Sequence, residues 1–149
     1  MTIRLLPLSP LLGDTVPLPA YATDGAAAMD LRACIAEPMT LAPGERTLIP
    51  PGFAMALPAG CAAFLFARSG LATRDGICLA NGVGVIDSDY RGEVMVGLCN
   101  LSDRPYTIQV GERIAQMAVL PVEQAEIQLT GALPDTTRGA GGFGSTGKE

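Results

Sequence analysis

This 149-residue chain, the length of one domain, contains no histidine, which excludes a Ser-His-Asp or Cys-His nucleophile and leaves acid–base chemistry to carboxylate, tyrosine, lysine or metal-bound water. Ten basic residues stand against fifteen acidic ones for a net charge of −5, and they are scattered, so a nucleic-acid partner is not expected. Only 17% of residues are charged while 48% are hydrophobic, a balance that points to surface buried in a symmetric oligomer.

In chain order, the first twelve residues are leucine-rich but broken by Pro7 and Pro10, so they read neither as a signal peptide nor as a membrane span. No other stretch approaches a span, and the expected setting is a soluble, cytoplasmic one with no membrane partner. A first strand is predicted over 3–8, then a loop over 11–19 and an alternating strand over 28–35 around Asp30 and Arg32. Strands over 46–49 and 53–57 flank the rigid turn Pro50-Pro51-Gly52. A continuous apolar strand over 62–67 ends at Arg68-Ser69-Gly70, and 71–75 is the one segment suited to a short helix or turn. Strands over 77–79 and 93–98 bracket a glycine-rich stretch; Tyr106, Ile108 and Val110 alternate with polar residues. A strand over 113–120 carries Gln116, and 125–129 reads as the last strand. Short strands with frequent turn signals specify an all-β sandwich, barrel or jelly roll.

The cysteines Cys34, Cys61, Cys78 and Cys99 form no CxxC pair and sit among apolar neighbours, as small buried hydrophobes in a reducing compartment would. Beyond residue 130 the composition changes. Residues 138–147 are half glycine, which divides the chain into a β-domain over 1–130 and a flexible glycine-rich C-terminal arm over 131–149.

Three stretches carry chemistry. Asn81-Gly82-Val83-Gly84-Val85-Ile86-Asp87-Ser88-Asp89-Tyr90-Arg91-Gly92 combines a tight glycine turn, a short buried strand at Val85 and Ile86, and a carboxylate fixed at that strand's end beside an aromatic ring. The same residues also suit a plain Asp-rich turn between strands, and Asp89 is read as a turn residue. Arg68-Ser69-Gly70 opens a turn where free N–H groups favour anions, although Ser-Gly ends many strands. The tail Arg138-Gly139-Ala140-Gly141-Gly142-Phe143-Gly144-Ser145-Thr146-Gly147 reads either as low-complexity sequence or as a lid, with glycine N–H groups and an arginine for phosphate and a ring to stack on a base.

Taken with Asp30 in Gly25-Ala26-Ala27-Ala28-Met29-Asp30-Leu31-Arg32 and with Arg113-Ile114-Ala115-Gln116, these stretches resemble, in order, the five motifs of the trimeric dUTP pyrophosphatases (dUTPases). Ala26 to Ala28 depart from the glycine and serine usual in the first motif. The resemblance implies a β jelly roll and a homotrimer with sites at its subunit interfaces. It implies hydrolysis of dUTP to dUMP and pyrophosphate, limiting uracil in DNA and supplying dUMP for dTTP synthesis. Mg²⁺ would be held through the substrate phosphates, with Asp30 and Gln116 as possible outer-shell groups and no direct protein ligand. Asp87 would activate the water that attacks the α-phosphorus. Asn81, Gly84 and Val85 would pair with uracil along a hairpin; Tyr90 would pack on the deoxyribose, and Met95 would also contact substrate. Arg68, Ser69 and Gly70 from a neighbouring subunit, together with Gln116, would hold phosphates. Arg138, Phe143, Gly144, Ser145 and Thr146 would close over the nucleotide.

Two alternatives accompany this reading. The dCTP deaminases share the fold and much of the central motif, but they carry a tryptophan at the place of Tyr90 and a catalytic glutamate at that of Gly97. An inactive deoxynucleotide-binding relative would be expected to lose Asp87, Gln116 or the tail, all of which are present.

Overall fold

The computed structural model describes residues 1–142. In chain order its elements are β1 Arg4–Pro7, β2 Ala20–Tyr21, β3 Met29–Arg32, β4 Met39–Leu41, β5 Arg46–Ile49, β6 Phe53–Ala56, β7 Cys61–Phe66, α1 Ser69–Asp75, β8 Ile77–Leu79, β9 Gly84–Ile86, β10 Val96–Asn100, β11 Tyr106–Ile108 and β12 Arg113–Pro121. The strands form four sheets: β1-β6, β5-β10-β8, β11-β4 and the five-stranded β2-β3-β12-β7-β9, with every strand pair antiparallel. Their inner faces close on one core, in which Leu31, Ile49, Phe53, Val96, Ile108 and Ile114 are fully buried. This is the all-β jelly roll expected from the short, turn-punctuated strands.

Several local expectations are corrected. Residues 125–129 are not a strand: they pair with nothing among the described residues, and Ile127 and Leu129 stand 88% and 94% exposed. Alternation alone does not make a strand, and β12 ends at Pro121. The short strands β2 and β4, two and three residues long, are additional to those expected. The strand expected over 93–98 is shifted to Val96–Asn100, with Glu93 reaching only an isolated bridge to Ala54. The helix begins two residues earlier than predicted, so Ser69 and Gly70 form its first turn. Residues 81–85 are not a two-stranded hairpin. β8 pairs with β10 and β9 with β7, so the turn, closed by Gly82 N–H to Leu79 O at 3.1 Å, crosses between sheets. Val85, expected inside, is 59% exposed.

All four cysteines are free. Cys34, Cys61 and Cys99 are buried as expected, whereas Cys78 is only half-buried; desolvation, and then the neighbouring Cys99, push its thiol above the ordinary range. The seven-residue α1 is too short to cross a membrane, and no described helix is long and apolar enough to do so.

Among the described residues Asn100 is the one fully buried polar side chain. Its Nδ2 donates to Leu41 O (3.1 Å) and Arg104 O (2.8 Å), and its Oδ1 accepts from the N–H and hydroxyl of Ser102. One side chain therefore ties β4, β10 and the turn after β10. Asn100→Ala leaves buried carbonyls unpaired and is expected to lower the unfolding free energy by about 2–3 kcal/mol, read by urea denaturation.

Candidate active site

Two clefts collect most of the chemically capable side chains, at opposite ends of β7. The first, about 460 Å³, lies beyond the C-terminal end of that strand and is lined by Asp30, Phe66, Arg68, Ser69, Gly70, Arg113 and Gln116, with Ala26 to Ala28 along one wall. Its floor is a cross-strand row, because Asp30 on β3 stands opposite Gln116 on β12, which stands opposite Phe66 on β7. Above it the Asp30 carboxylate is split between two arginines. Oδ1 accepts from Arg68 Nε at 3.1 Å and Oδ2 from Arg113 Nη1 at 3.1 Å. Arg68 Nη1 also donates to Arg113 O (3.2 Å), and Gln116 Nε2 to Ala67 O (3.1 Å), which leaves the Gln116 Oε1 as a spare acceptor.

A β-bulge makes this arrangement possible. Arg113 and Gln116 are three residues apart, which in a regular strand puts them on opposite faces. The ladder with β3 shifts register between Arg113 and Ala115, so Ile114 is the extra residue, and Arg113 returns to the face of Gln116. Arg68 is the extended residue just before α1, and its side chain does not cap the helix but turns toward Asp30. The first α1 amide bonded within the helix is Ala72 N–H to Arg68 O, so the amides of Ser69, Gly70 and Leu71 have no intrahelical acceptor. Two arginines against one aspartate leave the cleft a net positive charge, with further N–H donors beside it: it suits phosphate oxygens.

The second cleft, about 220 Å³, is walled by Val85, Ile86, Asp87, Tyr90, Glu93, Val94 and Met95. Asp87 directly follows β9 and is held by the turn in which Tyr90 N–H donates to its carbonyl (3.2 Å). Asp89 lies in that turn, as read from the sequence. Arg91 braces the turn, its Nη1 donating to Ser88 O (2.7 Å) and Tyr90 O (2.8 Å). Tyr90 Oη donates to Glu93 O at 3.2 Å.

The separation of the clefts follows from register. β9 runs against β7 with Ile86 opposite Ala63 and Gly84 opposite Leu65, so Asp87 falls level with Ala62. From there to Arg68 is six residue steps along the strand, about 20 Å at ~3.3 Å per residue. The Arg68 guanidinium also turns toward β3, away from β9.

The predicted site residues therefore divide. Arg68, Ser69, Gly70 and Gln116 line the arginine cleft, joined by Asp30. Val85, Asp87, Tyr90 and Met95 line the aspartate cleft. Asn81 lies on the exposed turn outside both linings, and Gly84 is buried against Leu65 rather than facing a cleft. Arg138 lines neither cleft and donates from Nε to Gly141 O at 2.8 Å. Phe143, Gly144, Ser145 and Thr146 lie outside the described residues. Arg113 is the one cleft arginine to which sequence reasoning gives no role; its proximity to Gln116 in the chain is the signal, and the bulge hides it.

No group of three or more histidine, cysteine or acidic side chains that could cage a metal occurs among the described residues. The arginine cleft's single carboxylate is already shared by two arginines. Its donor set suits a metal carried by phosphate oxygens, not one held directly by protein.

A family model described as dUTPase matches residues 14–147. The deoxyuridine 5'-triphosphate nucleotidohydrolase of Hahella chejuensis (strain KCTC 2396) is 59% identical over 137 residues, covering 91% of this chain and 90% of that protein. Among solved structures, the Staphylococcus bacteriophage 80alpha dUTPase with dUPNHPP is similar at a TM-score of 0.85 and 25% identity, over 98% of both chains. A point mutant of the dUTPase from phage phi11 of S. aureus, whose structure concerns the coordination of a structural Mg(II) ion, has a TM-score of 0.78 at 20% identity, over 91% of this chain and 100% of that one. With a family model spanning nearly the whole chain and a relative this similar, the chain belongs to the dUTPase family.

Proposed function

We propose that this chain is a dUTP diphosphatase, hydrolysing dUTP to dUMP and pyrophosphate in the cytoplasm, with each site assembled from two or more copies in a homotrimer. The observation that carries the assembly is the register of β9 on β7, which sets Asp87 six residue steps from Arg68, about 20 Å of extended backbone and longer than a triphosphate. One copy would supply Asp87, Met95 and Tyr90, the last packing on the deoxyribose and leaving no room for a 2′-hydroxyl, with Asn81 and the backbone of the following turn toward uracil. A second would supply Arg68, Ser69, Gly70 and Gln116. Residues 131–149 would act as an arm that closes over the nucleotide, with Arg138, Phe143, Gly144, Ser145 and Thr146 in contact.

Phosphoryl transfer asks a protein to position groups and stabilise charge, not to supply a nucleophile, which suits a chain without histidine. Asp87, fixed at a strand end, accepts a proton from the attacking water and aims it at the α-phosphorus. Arg68 and Arg113, pre-aligned by Asp30, hold phosphate oxygens as charge builds on the leaving pyrophosphate. Mg²⁺ carried by the triphosphate oxygens would supply charge neutralisation there, and the spare acceptor Gln116 Oε1 would hold water of its outer shell. The relatives support the substrate: the Hahella chejuensis protein is named for deoxyuridine 5'-triphosphate, and the 80alpha enzyme's structure carries dUPNHPP, a dUTP analogue. A deaminase reading is disfavoured by Gly97, whose neighbours are Leu48 and Ala80, with no carboxylate to serve as general base. An inactive relative is disfavoured by the joint presence of Asp87, Arg68 and Gln116 in intact clefts.

Pyrophosphate release from dUTP, compared with dCTP, dTTP and UTP, tests the activity; equal or absent turnover of dUTP would reject it. Asp87→Asn is expected to keep the fold and nucleotide binding while lowering kcat by ~10²–10⁴-fold, measured at saturating dUTP.

The assembly is tested by complementation. Asp87→Asn and Arg68→Ala chains, each nearly inactive alone, are unfolded and refolded together. Partial recovery of dUTP hydrolysis is expected, since some sites combine an intact Asp87 with an intact Arg68 from another copy. Mixed oligomers as inactive as their parents would show that both residues serve one site from one chain. Asp30→Asn, which removes the charge that aligns both arginines, is expected to lower kcat/KM roughly ten- to hundredfold at an unchanged melting temperature.

A further inference from the structure

Glycine at position 92 has a use that the backbone does not explain. Gly82, in the nearby turn, has φ +73°, a conformation that only glycine adopts without strain, and open space where a Cβ would go. Gly92 is the reverse case. Its φ lies outside the left-handed region, so an alanine would fit the backbone, but the space for its Cβ is taken. A Cβ built there would lie 2.5 Å from Tyr90 Cζ and 3.1 Å from Cε2, with Oη nearer still. All three blocking atoms belong to one side chain.

That ring cannot share the space, and the backbone around it is not free to yield. On one side Glu93 bridges Ala54, and the buried Val94 donates its N–H to Phe53 O at 2.9 Å. On the other, Arg91 ties the carbonyls of Ser88 and Tyr90, and Tyr90 N–H is bonded to Asp87 O. The Tyr90 side chain is held by a single hydrogen bond, from Oη to Glu93 O, and is about half exposed. An added methyl group would therefore move the ring rather than the chain.

We propose that Gly92 is a positioning residue for sugar selectivity: it leaves the space into which the Tyr90 ring folds, and so sets where that ring stands as a wall of the aspartate cleft. The ring shares this cleft with Asp87 and Met95, so its position fixes how much room remains for a substituent on the sugar. The inference rests on the proposed reading of Tyr90 as the wall against the 2′-hydroxyl and adds the residue that holds the wall in register. In this assignment Gly92 acts through Tyr90 alone.

A double-mutant cycle tests it. For the full-length wild type, Gly92→Ala, Tyr90→Ala and the double variant, kcat/KM is measured with dUTP and with UTP, alongside thermal melting. Gly92→Ala is expected to reduce the preference for dUTP over UTP on the order of tenfold. In the Tyr90→Ala background the same change is expected to do nothing further, since the ring it would displace is gone; a merely structural glycine would show its effect in both backgrounds. If Tyr90→Ala lowers the preference and Gly92→Ala does not, the Gly92 inference fails while the Tyr90 wall stands. A loss from Gly92→Ala that persists undiminished without the ring also overturns the inference. Should Tyr90→Ala keep the full preference, the wall itself is wrong and the inference falls with it. If Gly92→Ala does not fold, the double variant decides: its recovery shows that ring and Cβ compete for one space, and its failure shows that the backbone needed glycine.

Discussion

The pairing of β9 with β7 is the constraint on which the rest depends. β9 has only three residues, and its first, Gly84, lies so close to β7 that a Cβ there would meet Leu65 Cβ at 3.0 Å. This close approach fixes which residues face each other, with Gly84 on Leu65 and Ile86 on Ala63. A slip by one residue would exchange the exposed Val85 with its half-buried neighbour and swing Asp87 to the other face. In the sequence Gly84 reads as a residue whose backbone meets ligand. Its physical task in the folded chain is to let two strands touch, and Asp87 inherits its position from that contact.

The arginine cleft is built on a different economy of charge. Asp30 keeps 17% of its side-chain surface exposed and gives one oxygen to each of two arginines, so neither guanidinium is free to wander. Holding a planar donor group in place before substrate arrives removes the cost of ordering it later, and the uncompensated positive charge remains for an anionic ligand. Asp30 is thus more informative as an anchor for arginines than as the outer-shell metal group that the family resemblance implied. The helix start serves the same end: the Arg68 guanidinium has no acceptor with which to cap α1, so it serves the cleft, and the first-turn N–H groups stay free to donate.

How much of this can be read from residues alone depends on the range of each interaction. Strand content, the Pro50-Pro51-Gly52 turn, the start of β12 and the end of the helix are legible because each is written in a few consecutive residues. The ordered motifs mark the proposed site residues as a set. Their division into two clefts is not, because it depends on the register of β7 with β9, which no local pattern encodes. The companionship of Arg113 with Gln116 is hidden for a related reason: a bulge at Ile114 reverses the alternation that sequence reading assumes. Gly92 illustrates a third kind of blindness. A glycine in a turn-rich stretch is read as a backbone requirement, and only the position of the Tyr90 ring shows that this one serves a side chain.

The same half-site logic bears on the composition. Residues 125–129 alternate like a strand yet pair with nothing among the described residues, and Ile127, Leu129 and Leu133 stand 88%, 94% and 82% exposed. In the proposed trimer another copy would cover these apolar side chains. Each such leucine or isoleucine gains about 1.5–3 kcal/mol when covered, so association of copies would be driven by surface that the isolated fold cannot bury. In the proposed trimer assembly and catalysis would share one cause: a chain that leaves these apolar side chains exposed, and its aspartate and arginines at opposite ends of β7, would be completed on both counts by its neighbours.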